Sequence, residues 1–210
     1  PFMVSEYCKY GNVCEYLRGP FPEADRLSLL SGIVSGMIYL HGNSIVHGDL
    51  KGVNVLVDDN HQAILADFGI SRLLDDTLTI RSHASLTGSL NGTFRWMAPE
   101  CLSGTRAKKS SDVYSFAITA WEIFSGEVPF FGIYEPLLAK AVVDNGERPK
   151  RPGRLDKEEN DSLWKLMESC WDGDPSARPS FVSIQDTMKY DLPRPKGKNT
   201  FRNLRRGHSS

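Results

Sequence analysis

Nowhere does this chain run apolar for the roughly 18 consecutive residues that a membrane-spanning helix requires. Its start, PFMVSEYC, has no methionine at the first position and no basic n-region, so no signal peptide is visible. Cysteine is sparse. Cys8, Cys14, Cys101 and Cys170 form no C-x-x-C pair, which argues against a zinc site. They read as reduced, mostly buried thiols of a cytoplasmic or nuclear protein. Neither sign of charge is in excess: the formal net charge is -1, so no global nucleic-acid or membrane surface is implied. No internal repeat is apparent. What is present is 210 residues, 40% hydrophobic and 24% charged, enough for one domain or one large lobe with a core of its own.

Two segments carry clear helical periodicity. From Arg26 to His41 the apolar residues Leu27, Leu30, Ile33, Val34, Met37, Ile38 and Leu40 fall on one face, and Gly42-Asn43 ends the run. Residues 110–125, SSDVYSFAITAWEIFS, are apolar nearly all round, which predicts a helix in the middle of a core. Ser110, Ser111 and Asp112 offer N-cap and first-turn chemistry for it, and Gly126 stops it. VCEYLRG predicts a short helix, and further helices are expected at about 135–144, 160–170 and 180–189, the last capped by Ser180. PFMVSEY, Ile45-Val46, Val55–Val57 and Ala63–Ala66 are short apolar runs between polar turns and predict small strands. From Asp67 to about Asn91 the chain is poor in apolar residues and rich in Ser and Thr, which predicts a long functional or mobile loop.

The polar loop HGDLKGVN, residues 47–54, concentrates the chemistry. Asp49 can accept a hydroxyl proton. Asn54 and Asp67 offer the hard oxygen ligands that suit Mg²⁺, and Lys51 adds a positive charge. Together they fit phosphoryl transfer, in which positioning and charge neutralisation supply most of the catalysis.

These segments, in this order, resemble the C-terminal lobe of a eukaryotic protein kinase. HGDLKGVN is similar to the family's H-R-D-x-K-x-x-N loop, DFG stands at Asp67–Gly69 and APE at Ala98–Glu100. SDVYSF resembles the start of the family's central buried helix, and RPSF at 178–181 its last helical region. The resemblance covers residues 1–190. It implies a fold that is mainly α with a small β component: a partial kinase domain, hinge strand plus helical lobe, over 1–190. A basic, disordered tail is expected over 191–210. The implied ligands are ATP and Mg²⁺, and the implied partner is a protein substrate. No membrane contact and no specific nucleic acid are expected, and the oligomeric state is left open.

Carried over residue by residue, the resemblance makes Asp49 the base that accepts the substrate proton. It has Lys51 reaching the γ-phosphate and Asn54 and Asp67 holding Mg²⁺. Leu56 would pack under adenine, backbone groups of Glu6 and Cys8 would bond it, and Ser5 would be the gatekeeper. His47 and Phe68 would be packing residues. Asp112 would bind N–H groups of the catalytic loop, with an N-cap role as the alternative. Glu100 and Arg178 would form a buried ion pair. Lys51 and Thr93 resemble the serine/threonine pattern. RWMAPE, SSDVYSFAITAWEI and CWDGDPSARPSF resemble tyrosine kinases and their tyrosine-kinase-like cousins. The combination is similar to the tyrosine-kinase-like group with Ser/Thr specificity, and HGDLKGVNVLVDD resembles its fungal members. Tyrosine or dual specificity is the lesser alternative.

Two departures stand out. Gly48 replaces the family's Arg, which in many relatives meets a phosphate on the activation segment. Thr77, Thr79, Ser82, Ser85, Thr87 and Ser89 are therefore expected to matter less as phosphorylation sites. No G-x-G-x-x-G and no V-A-I-K precede Pro1, so the family's ATP-covering lobe is expected to lie outside these residues. The chain alone is then expected to have little activity. A non-catalytic binding module or scaffold is the competing class.

Overall fold

In the computed structural model, which describes residues 7–67, 72–73 and 93–192, the element most enclosed by protein is a helix at Lys109–Ser125. Outside the described residues lie most of the expected first strand, with Ser5 and Glu6, as well as Phe68, the six hydroxyl residues from Thr77 to Ser89 and the tail from Pro193.

The elements in chain order are α1 (Val13–Arg18), α2 (Arg26–Gly42), β1 (Ile45–Val46), β2 (Val55–Val57), β3 (Ala63–Leu65), β4 (Arg72–Leu73), α3 (Pro99–Leu102), α4 (Lys109–Ser125), α5 (Glu135–Ala139), α6 (Asp161–Cys170) and α7 (Phe181–Tyr190). Short 3-10 turns at Gly52–Asn54 and Thr93–Trp96 matter for the site. Helices dominate and the strands are short.

The sequence makes α4 central because almost every face of it is apolar. Val113, Phe116, Ala117, Ile118, Ala120 and Ile123 are at most 2% exposed. Each large side chain removed from water in this way contributes about 1.5–3 kcal/mol. Around it pack α1, α2 and α6, and α7 lies against α2 and α6. Local chemistry fixes the helix ends. Asn12 and Glu15 form a reciprocal capping box on α1, Asp25 accepts the N–H groups of Leu27 and Ser28, and Ser180 accepts that of Ser183.

Four expectations need correction. The N-cap position of α4 is Lys108 and not one of Ser110–Asp112, while Ser111 serves in the first turn, its Oγ accepting the Lys108 N–H at 3.2 Å. Asp112 is thereby released to face the polar loop. The helix expected at 135–144 is α5 followed by a π turn at Lys140–Asp144, where the Asn145 N–H reaches back five residues to the Lys140 carbonyl. The loop expected from Asp67 onward contains β4, which pairs antiparallel with β1 in the register Ile45↔Leu73 and Val46↔Arg72. Ala66 lies beyond the end of β3. The β2–β3 hairpin pairs Val55 with Leu65 and Val57 with Ala63. The polar loop runs between β1 and β2, as its bracketing by apolar runs implied.

Candidate active site

Asp112, 1% exposed, is the anchor of the loop. Its Oδ2 accepts the His47 N–H at 2.9 Å and its Oδ1 the Gly48 N–H at 2.9 Å. His41 Nε2 lies 2.8 Å from Oδ2, and facing an acceptor-only carboxylate this nitrogen carries the proton. One buried carboxylate thus satisfies two loop N–H groups and an imidazole, which offsets the cost of burying it. Of the two roles open to Asp112, the structure shows the loop anchor and not the N-cap.

Gly48 has φ +79°, in the left-handed region that glycine enters without steric penalty. This turn aims the next residue back across the loop. His47 is fully buried, and its Nδ1 faces the Asp49 N–H at 3.2 Å. Burial lowers its pKa below the ordinary histidine value, against the opposing pull of the Asp112 and Asp49 carboxylates. A neutral ring in this position is a packing and orienting group.

Asp49, Lys51 and Asn54 form one bonded cluster. Asp49 Oδ2 lies 2.9 Å from Lys51 Nζ and accepts Asn54 Nδ2 at 3.0 Å. The same amide nitrogen also donates to the Asp49 carbonyl at 2.8 Å. Asp49 Oδ1 is buried and has no hydrogen-bond partner among the described residues. One carboxylate oxygen is thus fully engaged, and the other keeps its acceptor capacity unused among the described residues. Lys51 Nζ also donates to Thr93 Oγ1 at 2.8 Å, joining the loop to the Thr93–Trp96 turn.

Asp67 comes next to this cluster through the backbone. The Ala66 N–H donates to the Asn54 carbonyl at 2.9 Å, and the following residue is Asp67, exposed and at φ +61°. Leu56 is half-buried on β2 and bridges to Asn12, while the Val57 N–H bonds the Gly11 carbonyl and the Gly11 N–H bonds that of Cys8. Cys8 and Leu56 therefore sit on adjoining segments.

The model of the family described as protein tyrosine and serine/threonine kinase matches residues 1–188. The chain belongs to this kinase family. Among relatives of this kinase, the serine/threonine-protein kinase STY17 of Arabidopsis thaliana is 34% identical over 98% of this chain and 36% of its own length. The serine/threonine/tyrosine-protein kinase HT1 of Arabidopsis thaliana is 35% identical over 90% of this chain and 47% of its own. A dual serine/threonine and tyrosine protein kinase of Xenopus tropicalis is 38% identical over 78% of this chain and 17% of its own. The chain thus spans less than half the length of the curated relatives it matches here.

Behind the loop the kinase carries a polar stripe that its sequence disguises. Asp112, Ser115, Thr119 and Glu122 are spaced by three, four and three residues, so they lie on one face of α4. Asp112 holds residues 47 and 48. Ser115 Oγ donates to the Trp96 carbonyl at 2.8 Å, and Thr119 Oγ1, whose shorter bond of 2.8 Å is to the Ser115 carbonyl, lies 3.3 Å from that of Leu50. Glu122 Oε2 accepts the N–H groups of Gly52 and of the Trp96 indole, each at 2.9 Å. Sequence reasoning found only Asp112. The signal that would have found the others is the interruption of an all-apolar helix by hydrogen-bonding residues at helical spacing.

Further out, Arg178 grips Glu100 with both terminal nitrogens, at 2.8 and 2.9 Å. Burial pushes the Glu100 carboxyl up, but the Arg178 hydrogen bonds and charge outweigh it and leave the pKa below the ordinary carboxylate value. The guanidinium groups of Arg178 and Arg148 each lie 5.2 Å from the Tyr114 ring centre. The ion pair fixes α3, which follows the Thr93–Trp96 turn, to the helical body.

Proposed function

We propose that these residues form the catalytic and acceptor-binding half of a protein kinase that transfers the ATP γ-phosphate to Ser and Thr hydroxyls of protein substrates. The observation that carries this reading is the state of Asp49. One oxygen is held by Lys51 and Asn54, and the other makes no hydrogen bond among the described residues. A substrate hydroxyl placed there gives its proton to Asp49 Oδ1 while its oxygen bonds the γ-phosphorus and the bond to the ADP oxygen breaks.

Lys51 positions the acceptor side. Two of its three N–H donors are used by Asp49 and Thr93, and one is left for a phosphate oxygen. Its tie to Thr93 favours Ser/Thr acceptors, in line with the tyrosine-kinase-like assignment. Asn54 and Asp67 fit a magnesium site. The Asn54 amide nitrogen is committed to Asp49, which leaves its oxygen as a ligand, and Asp67 is an exposed carboxylate one residue beyond the Asn54–Ala66 bond. Mg²⁺ bound there supplies charge neutralisation on the phosphates. In this proposal Cys8 and Glu6 contribute backbone groups and Leu56 an apolar surface to the adenine.

We also propose that the helical body is the C-terminal lobe. The elements that cover ATP would then come from chain beyond these 210 residues, and the residues alone would transfer little phosphate. The test is transfer from radiolabelled ATP by the full-length protein to Ser, Thr and Tyr peptides. The expected product is phosphoserine and phosphothreonine. Phosphotyrosine alone, or no transfer at all, overturns the reading. Phosphotyrosine beside the other two marks dual specificity, as two relatives are named for.

A further inference from the structure

We infer that Glu122 is a positioning residue that locks the catalytic loop to the acceptor turn through a single carboxylate oxygen. The catalytic consequence rests on the kinase reading above, but the lock is a property of the fold. Gly52 adjoins Lys51, and Trp96 shares a 3-10 turn with Thr93. The Lys51–Thr93 bond is therefore flanked by two further bonds, from the Gly52 amide and the Trp96 indole, that converge on Glu122 Oε2. Cutting that one acceptor frees both sides of the joint at once.

The charge of Glu122 is not what the joint uses. The side chain is 8% exposed, and no described residue makes an ion pair with it. Its second oxygen faces only the Cys14 thiol, at 3.3 Å. A buried carboxylate without an ion-pair contact is costly, and burial raises its pKa, with the Gly52, Cys14 and Trp96 donors and, more weakly, the Arg18 charge pulling the other way. What the two N–H groups require is an oxygen acceptor at that point, and an amide oxygen serves equally. Space is set by the same contact. A Cβ on Gly52 would lie 2.4 Å from Cys14 Sγ and 2.8 Å from Glu122 Oε2, so position 52 takes a side chain only if the joint opens.

The experiment compares Glu122→Gln with Glu122→Leu in the full-length protein. Glu122→Gln is expected to keep kcat near wild type. Glu122→Leu, of similar size but with no acceptor, is expected to lose kcat by about 10²-fold, as misplaced reacting groups do, with the KM for ATP unchanged and the KM for the acceptor peptide raised. In parallel, hydrogen exchange by NMR is read at the Gly52 amide and the Trp96 indole N–H. Both protons stay protected in wild type and Glu122→Gln and exchange faster in Glu122→Leu. If Glu122→Leu does not fold, Trp96→Phe removes one donor and leaves Glu122 in place. It is expected to raise the acceptor KM and speed exchange at Gly52. Loss of kcat in Glu122→Gln equal to that in Glu122→Leu overturns the inference. So does wild-type behaviour of Glu122→Leu, or of Trp96→Phe where Glu122→Leu does not fold. Wild-type protein that transfers no phosphate while the exchange pattern holds sinks the kinase reading and leaves the lock standing.

Discussion

Lys51 Nζ and Thr93 Oγ1 are 2.8 Å apart, a bond that spans 42 positions of chain and ties the 47–54 loop to the Thr93–Trp96 turn. Lys51→Met removes this tie and the contact with Asp49 together, and strips the site of its central positive charge. In the full-length protein its phosphotransfer rate is expected to fall by about 10²–10³-fold, with nucleotide binding retained. Comparing steady-state rates with nucleotide affinity checks this, and an unchanged rate removes Lys51 from the mechanism.

The anchor is expected to be as sensitive as the loop it holds. Asp112→Ala leaves the His47 and Gly48 N–H groups and the His41 imidazole without an acceptor. The loss of stability is expected to be about 2–4 kcal/mol, read from urea unfolding, because buried donors are left bare. A loss below about 0.5 kcal/mol, the level of an ordinary surface substitution, counts against the anchor.

At position 48 the left-handed backbone of glycine shapes the loop. Gly48→Arg restores the family's residue but forces a side chain into the left-handed region, at a cost of about 1–2 kcal/mol. Urea unfolding is expected to show that loss. Activity of the natural protein is expected to survive alanine at Thr77, Thr79, Ser82, Ser85, Thr87 and Ser89. Abolished activity in that sixfold variant contradicts the expectation that Gly48 weakens the dependence on activation-segment phosphorylation.

Acid is expected to unfold the protein in two stages. His47 has a lowered pKa in the fold. As pH falls below the ordinary histidine value of about 6.5, the unfolded chain takes up a proton that the folded one refuses, and stability declines. Glu100 also has a lowered pKa. Its contribution is complete above the ordinary carboxylate range and is lost as pH drops through the folded value. Arg178→Met strands the Glu100 charge and is expected to cost about 3–5 kcal/mol at neutral pH, with the lower acid stage removed. A pH–stability curve of the variant that keeps both stages contradicts the assignment.

Much of the site was legible because its residues are neighbours in sequence. Asp49, Lys51 and Asn54 share one loop, and the apolar runs Ile45-Val46 and Val55–Val57 announced the strands on either side. Periodicity gave α2 and α4 to within a residue or two. The rest depends on distance. Glu122 and Gly52 are 70 residues apart, and only folding places the carboxylate beneath the amide. β4 has two residues, too few to show a period, and exists because β1 offers it a partner. The N-cap position of α4 was obscured because Ser110–Asp112 carries good capping residues that the fold uses one turn in or elsewhere: Ser111 on the Lys108 N–H and Glu100, Asp112 on the loop.

The central claim is that Asp49 accepts the substrate proton through the oxygen that makes no hydrogen bond among the described residues. Asp49→Asn keeps the size of the side chain, and an amide oxygen still accepts from Lys51 and Asn54, but its basicity is gone. The full-length variant is expected to bind ATP as wild type does and to transfer phosphate to Ser and Thr peptides at least about 10²-fold more slowly, the scale of a lost general base. Transfer at the wild-type rate by folded Asp49→Asn protein contradicts the account.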